Sequence, residues 1–217
     1  MQLIIGNYNY SSWSMRPWLL LKHHNLPFET IRIPLDQPDT AQKIAHYSGA
    51  GKVPVLIDRD TEIWDSLAIC EYLSEQYLQG RGWPADPLPR AEARSVSAEM
   101  HSSFGALRGA MPMNCRARRR IEFGPEVKRD IARIEQVWIT LRRRHADSGE
   151  WLFGEFSIAD CMYAPVAARF HSYQPPLDPL SQIYVDSVLA HPALRCWFQL
   201  AGDETEVLAS EEVGVEV

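Results

Sequence analysis

The chain has 217 residues, of which 46% are hydrophobic and 23% charged, so it can form one large or two small domains and is neither disordered nor fibrous. The formal net charge of -6 argues against a general nucleic-acid-binding protein, which would carry a basic face. No apolar run approaches the roughly 20 residues that cross a bilayer, and the N-terminus lacks the features of a secretory signal. We therefore expect a cytoplasmic protein with no membrane or nucleic-acid partner.

The first residues predict a strand, a helix and a second strand. Residues 2–5 are a short apolar run typical of a buried strand. An apolar helix follows, with Ser14 as a plausible N-cap, and it ends before Asn25, which tolerates the left-handed conformation. Residues 28–33 then alternate polar and apolar side chains as a strand does. The connection between the two strands is expected to be right-handed.

The next segment predicts a short helix, a hairpin and a longer helix. Residues 41–47 indicate the helix, and residues 55–58 and 61–64 indicate the two strands of the hairpin. Asp65 and Ser66 precede the longer helix, and either side chain can cap it. The first 79 residues therefore have the element order of an α/β domain.

Glycines and prolines concentrate in residues 80–89, which predicts a linker between a domain of residues 1–79 and a domain of residues 90–217. Beyond the linker, apolar side chains recur at helical spacing. One apolar stripe predicts a single long helix that ends at Pro112, and a second predicts a helix over residues 127–141. Helices of this kind with short connections form a bundle, so the second domain is predicted to be all-helical.

Three further features lie in the second half. Ser157 and Asp160 have the spacing of a capping box, which we assign to folding. Arg116, Arg118, Arg119 and Arg120 form a basic cluster, interpreted as a solvated loop with anion binding as the alternative. The acidic residues 211–217 are expected to be frayed or loosely packed. The four cysteines form no C-x-x-C pair, so we predict neither a zinc site nor a dithiol redox site, and no metal.

A serine-rich turn joins the first strand to the first helix, with Ser11, Ser12 and Ser14 close together. The first N–H groups of a helix have no intrahelical partner, and the helix dipole adds positive charge there. Serine hydroxyls beside them both donate and accept hydrogen bonds. The turn therefore predicts a site for a carboxylate, a phosphate or a thiolate, and the helix near Ser66 offers a second such N-terminus.

Three motifs in order resemble the N-terminal domain of glutathione transferases. They are Ser-Ser-x-Ser-x-Arg at residues 11–16, Val53-Pro54 before the hairpin, and Asp65-Ser66 at the start of a helix. The first motif is similar to the zeta-type and related bacterial branches, where a serine replaces the tyrosine used elsewhere. The resemblance implies a thioredoxin-like domain of order βαβαββα followed by an all-helical domain, in a homodimeric detoxification enzyme.

The resemblance also implies glutathione as co-substrate, with its thiolate attacking a small hydrophobic electrophile. It places Ser11 at the sulfur, with Ser12 as the alternative and ordinary turn capping as a third explanation. No cysteine lies in the turn, so mixed-disulfide exchange lacks its nucleophile.

The rest of glutathione is placed by the same resemblance. Val53 meets the cysteinyl backbone beside a cis Val53-Pro54 bond, and Lys52 faces the glycine carboxylate or solvent. Asp65 meets the ammonium group, and Ser66 meets the γ-glutamyl carboxylate. Simple helix capping is the alternative role for Asp65 and Ser66.

The electrophile pocket is expected between the domains, near Trp13, Phe104, Met111 and Tyr163, which are equally suited to the core. Two other functions stay open. One is a glutathione-dependent cis–trans isomerase resembling maleylacetoacetate isomerase, although Trp13 stands where the zeta pattern has a cysteine. The other is a transferase-like protein that binds a partner without turnover.

Overall fold

The structure is a computed structural model that describes all 217 residues. The strands are β1 (Gln2–Ile5), β2 (Glu29–Arg32), β3 (Val55–Asp58), β4 (Thr61–Trp64), β5 (Arg119–Arg120) and β6 (Val215–Glu216). The helices are α1 (Ser12–His23), α2 (Thr40–Ala45), α3 (Ser66–Tyr77), α4 (Pro87–Ser102), α5 (Gly105–Ala110), α6 (Pro125–Arg144), α7 (Ile158–Tyr173), α8 (Pro179–Ala190) and α9 (Pro192–Gly202). No helix combines the length and apolar character needed to cross a membrane.

The first part of the chain is thioredoxin-like, as predicted. Its sheet has the order β2-β1-β3-β4, with β1 parallel to β2 and antiparallel to β3. Successive side chains of β1 point to opposite faces of the sheet. Leu3 and Ile5 belong to the main core, while Ile4 packs in a smaller core with Ile33 and Ile44. The central strand is therefore buried on both faces, which fixes the turn that follows it.

The second part is all-helical, as predicted, and α7 is its central helix. Fifteen of its residues are buried, because α4 and α8 cover it on the side of the bundle and α1 covers it on the side of the sheet. A helix that is apolar all round must be enclosed in this way. The two parts consequently share one continuous hydrophobic core.

Two helix boundaries differ from the prediction. The prediction of a single long helix before Pro112 is wrong, because α4 ends at Ser102 and α5 begins at Gly105. Phe104 between them has the left-handed φ of 63°, which no helix continues. Ser14 is also wrong as a cap, since α1 already begins at Ser12 and Ser11 occupies the N-cap position.

The expectations of a frayed C-terminus and a solvated arginine loop are both wrong. Strand β6 near the C-terminus pairs antiparallel with β5 inside the arginine cluster. Arg119 also forms an ion pair with Glu212, and the backbone N–H of Val217 donates to the carbonyl of Arg118 at 3.1 Å. The acidic tail and the basic cluster therefore bind each other.

Candidate functional site

Two adjoining cavities bring together all six residues predicted for the site. The first, of about 540 Å³, is lined by Lys52, Val53, Asp65 and Ser66. The second, of about 450 Å³, is lined by Ser11 and Ser12 and again by Lys52 and Val53. The shared walls make the two cavities parts of one cleft.

The start of α1 lies at the second cavity with free backbone donors. The first helical hydrogen bond runs from the N–H of Met15 to the carbonyl of Ser11 at 3.2 Å. The N–H groups of Trp13 and Ser14 make no hydrogen bond to another backbone group, and Ser11 makes no side-chain cap. The N-terminus of α1 is thus free to bind an anion.

The serine hydroxyls of the turn are held in different ways. The Oγ atoms of Ser11 and Ser14 are 2.7 Å apart, and Ser14 Oγ accepts a hydrogen bond from the N–H of Gly6 at 3.2 Å. In the structure Ser11 donates to Ser14, but both hydroxyls can rotate; when Ser14 donates to Ser11 instead, the hydroxyl hydrogen of Ser11 is left for a ligand. Ser12 Oγ accepts from Nη2 of Arg169 at 3.2 Å, so its own hydrogen is also available.

Val53 lines both cavities. The Val53-Pro54 peptide bond is cis, as the resemblance implies. The N–H and the carbonyl of Val53 make no backbone hydrogen bond within the chain. They can therefore pair with a peptide-like ligand.

Asp65 and Ser66 line the first cavity at the start of α3. Asp65 has a left-handed φ of 73°, a strained conformation for a residue other than glycine. Its Oδ1 caps α3 by accepting from the N–H of Leu67 at 2.9 Å, and its Oδ2 lies 3.1 Å from Nε2 of His101. Ser66 Oγ accepts from Nη1 of Arg16 at 3.3 Å.

Three arginines lie in or behind the cleft. Arg108 and Arg169 line the second cavity, and Arg16 contacts Ser66 and Trp13 of the first. Burial, aided by the charges of Arg108 and Arg169, lowers the pKa of Arg16 to about 9, and burial lowers that of Arg169 to about 10. Each stays charged at pH 7 because its pKa remains above 7. Arg16 forms no salt bridge, and its buried Nε has no partner. An anion bound in the cleft would offset the positive charges of these arginines and so reduce the repulsion between them.

Trp13 lines both cavities. The guanidinium carbons of Arg16 and Arg108 lie 4.2 Å and 4.9 Å from the centroid of its ring. The other residues expected in the electrophile pocket do not line either cavity. Phe104, Met111 and Tyr163 belong to the buried core, since their apolar spacing reflects helix packing.

Four charged residues in or directly behind the cleft have no predicted role. Arg16 belongs to the serine motif but has no assigned role there. Arg169 carries a usable signal, because it is the one arginine in the largely apolar α7, which contains no lysine. Arg108 and Glu211 carry none, since only the fold brings them to the second cavity.

The chain matches two family models, described as the N-terminal domain of glutathione S-transferase over residues 10–76 and its C-terminal domain over residues 124–200. It is 30% identical to a maleylacetoacetate isomerase of Pseudomonas aeruginosa, over 85% of this chain and 89% of that one. It is 28% identical to a probable maleylacetoacetate isomerase of Caenorhabditis elegans, over 83% and 88%.

A solved structure of similar fold is a glutathione transferase homolog from Burkholderia with bound glutathione. The TM-score is 0.72 and the identity 26%, over 94% of this chain and 98% of that chain.

Proposed function

Since the chain belongs to the glutathione S-transferase family, we propose that it binds glutathione along the first cavity and activates its sulfur for attack on an electrophile in the second. The observation that carries this proposal is the meeting of two helix N-termini and two arginines, Arg108 and Arg169, at one cleft. The buried guanidinium of Arg16 adds a third positive charge behind Ser66. Such a cleft favours a ligand with a carboxylate at one end and a thiolate at the other.

The tripeptide would bind as follows. Its γ-glutamyl carboxylate meets Ser66 and the N-terminus of α3, with the charge of Arg16 behind them. Its ammonium group meets Asp65, whose cap to α3 leaves lone pairs available. The cysteinyl backbone pairs with Val53, and the glycine carboxylate faces Lys52.

The sulfur would then lie at the start of α1. A free thiol has a pKa of about 8.5, so only a few per cent is thiolate at pH 7. We assign Ser11 as the donor to the sulfur, with Ser12 as the alternative. One charged hydrogen bond, unpaired helix N–H groups and nearby arginines together account for a fall of about two pKa units, or roughly 2.7 kcal/mol.

In the conjugation reaction the thiolate attacks the electrophilic carbon. With an aryl chloride, a C–S bond forms, chloride leaves with the C–Cl electron pair, and the thiol proton passes to solvent. The cleft residues form no covalent bond in this reaction. They contribute by stabilising the thiolate of glutathione and by orienting the electrophile towards it.

A second candidate is glutathione-dependent cis–trans isomerisation of a maleyl compound. The observation that favours it is the presence of Arg108 and Arg169 in the second cavity, because a guanidinium binds a carboxylate well. There the thiolate adds to the double bond, the resulting single bond rotates, and the thiolate leaves. Glutathione is regenerated, which distinguishes this reaction from conjugation.

The proposals are tested together by calorimetry with glutathione, conjugation of an aryl chloride, and conversion of a maleyl to a fumaryl compound. Conjugation that consumes glutathione supports the transferase (EC 2.5.1.18 type). Isomerisation without net consumption supports the second candidate. A folded protein that takes up no glutathione refutes both and leaves the partner-binding alternative.

We also propose that the protein is a cytoplasmic homodimer. Trp64 and Leu88 are large apolar side chains that are 54% and 80% exposed, and a subunit interface would cover such surface. Light scattering that gives the mass of one chain, 24.8 kDa, at micromolar concentration would contradict the dimer.

A further inference from the structure

The second cavity contains a single carboxylate, that of Glu211, beside the guanidinium groups of Arg108 and Arg169. Glu211 comes from the C-terminal tail, defined here as residues 203–217, whereas the arginines belong to α5 and α7. The tail therefore changes the charge of a cavity that the rest of the protein makes positive.

The tail holds Glu211 in place through its neighbour Glu212. Glu212 Oε1 accepts from the hydroxyl of Tyr10 at 2.6 Å and from Nδ2 of Asn114 at 2.9 Å, while its Oε2 pairs with Arg119. Strand β6 then pairs with β5. Glu211 is thus held in place by the residues that follow it in the chain.

Arg169 has only neutral hydrogen-bond partners. Its guanidinium donates to the carbonyls of Met111 at 2.8 Å and Pro165 at 3.2 Å, and to Ser12 Oγ. The ion pairs of the tail are made by Glu204, Glu206 and Glu212, not by Glu211. The cavity therefore holds an arginine without a direct carboxylate partner and a carboxylate without a direct basic partner.

The charges of Glu211 and Arg169 still interact across the cavity. Burial raises the pKa of Glu211, and the positive charge of Arg169 opposes that rise. In a partly desolvated cavity such an interaction is stronger than at the surface. A ligand that binds between Glu211 and Arg169 interacts electrostatically with both charges.

We propose that Glu211 is a specificity-determining residue, whose carboxylate offsets the arginine charge of the electrophile cavity and so limits the preference for anionic over neutral electrophiles. This inference rests on the proposed function, because it concerns the electrophile of the same cleft. An anionic electrophile is attracted by Arg108 and Arg169 and repelled by Glu211. A neutral electrophile of the same shape is nearly indifferent to both.

The test compares two electrophiles of similar shape, the anionic 4-chloro-3,5-dinitrobenzoate and the neutral 4-chloro-3,5-dinitrobenzamide. Each loses chloride to the thiolate, and the difference in their intrinsic reactivity cancels when the ratio of their rates is compared between variants. In Glu211→Gln the ratio of kcat/KM for the anionic over the neutral compound is expected to rise about three- to tenfold, since one nearby like charge is removed. In Arg108→Gln the ratio is expected to fall.

Glu216→Gln is the matched control, because it removes the same charge from an exposed position of the same tail. Its ratio is expected to equal that of the unmodified protein. An unchanged ratio in Glu211→Gln overturns the inference, even when both rates fall because the tail has loosened. An equal rise in Glu216→Gln also overturns it, since the effect would then reflect net charge.

Calorimetry separates this inference from the proposed function. The probes are glutathione, S-(4-carboxybenzyl)glutathione and S-(4-carbamoylbenzyl)glutathione. If glutathione binds and Glu211→Gln strengthens only the carboxylate derivative, the inference holds whatever the turnover. If glutathione binds and the two derivatives respond alike, the inference alone fails. If the unmodified protein binds none of the three, the proposed function fails and the inference falls with it.

Discussion

Arg16 is a buried charge with no carboxylate partner, held beside Ser66 and stacked on Trp13. An uncompensated buried charge destabilises a fold, and such groups persist where function requires them. We expect Arg16→Met, which keeps the packing volume but removes the charge, to raise the free energy of unfolding by about 1–3 kcal/mol. Glutathione affinity should fall at least tenfold, because the charge behind the γ-glutamyl carboxylate is lost.

Urea denaturation and calorimetry measure the two effects of Arg16→Met. Arg143→Met is a suitable control, since Arg143 is exposed on α6 and distant in sequence from the cleft. A variant that is less stable and still binds glutathione normally would show that Arg16 has a structural role instead.

The substitution Ser11→Ala tests whether the Ser11 hydroxyl activates the sulfur of glutathione. Removal of its hydroxyl in Ser11→Ala should raise the pKa of bound glutathione towards its free value, so that kcat at pH 7 falls about 10- to 100-fold. The deficit should shrink as the pH approaches 9, because the thiolate then forms without help. The measurement is kcat of the unmodified protein and of Ser11→Ala as a function of pH. If Ser12→Ala shows the larger effect and Ser11→Ala keeps the normal profile, Ser12 is the donor.

Residues in local motifs could be predicted from the sequence, and residues brought in by folding could not. Ser11 and Ser66 follow from short patterns around helix starts. Arg108 has no such pattern, because its place at the second cavity depends on the break after α4. Glu211 depends on the pairing of strands at distant positions of the chain.

At the scale of elements, the start of α7 depends on Asp160. Its carboxylate accepts from the N–H of Ser157 at 2.9 Å, the N–H of Leu152 at 3.1 Å and the hydroxyl of Tyr184 at 2.9 Å. Asp160→Asn should lower the free energy of unfolding by about 2–4 kcal/mol, because an amide N–H₂ then faces one of these donors. Urea denaturation of both proteins measures this difference in the free energy of unfolding.

Asp147→Asn is the control for Asp160→Asn, since Asp147 is exposed shortly before α7. A loss of stability in Asp160→Asn no larger than that in Asp147→Asn would contradict the structural role of the cap.

The capping box could be predicted from the sequence because all its parts lie within a few residues. The pairing of β5 with β6 could not, because neither two-residue strand has a pattern of its own.

At the scale of the whole molecule, the two domains are joined more closely than separate folding units need be. Helix α1 of the first packs on α7 of the second, and both belong to one core. The sequence predicts both domains but not this shared core, because the apolar faces of α1 and α7 do not reveal their partner. We therefore expect the chain to unfold in one cooperative transition.

A pair of histidines bridges the domains at the edge of this core. His23 Nδ1 of α1 lies 2.9 Å from Nε2 of His191, which precedes α9. His191 Nδ1 accepts from the N–H of Ala193 at 3.2 Å, so the proton of the neutral ring must lie on Nε2, which donates to His23. A proton added to either ring breaks one of these two hydrogen bonds.

This arrangement predicts loss of stability in mild acid. Burial lowers the pKa of His191 to about 4 and also lowers that of His23, so the unfolded chain binds protons more tightly than the folded one. Stability is then complete above about pH 6.5 and falls as the pH drops towards 4. After allowance for partial exposure, we expect this pair to contribute about 1 kcal/mol of that loss by pH 5.

His191→Asn provides the test, because asparagine still caps α9 but does not titrate. The fall in the free energy of unfolding between pH 7.5 and pH 5, measured with urea, should be about 1 kcal/mol smaller than in the unmodified protein. His46→Asn removes an exposed histidine and should leave the fall unchanged. If the two variants gave the same pH dependence, the bridge between His23 and His191 would not couple the domains to pH.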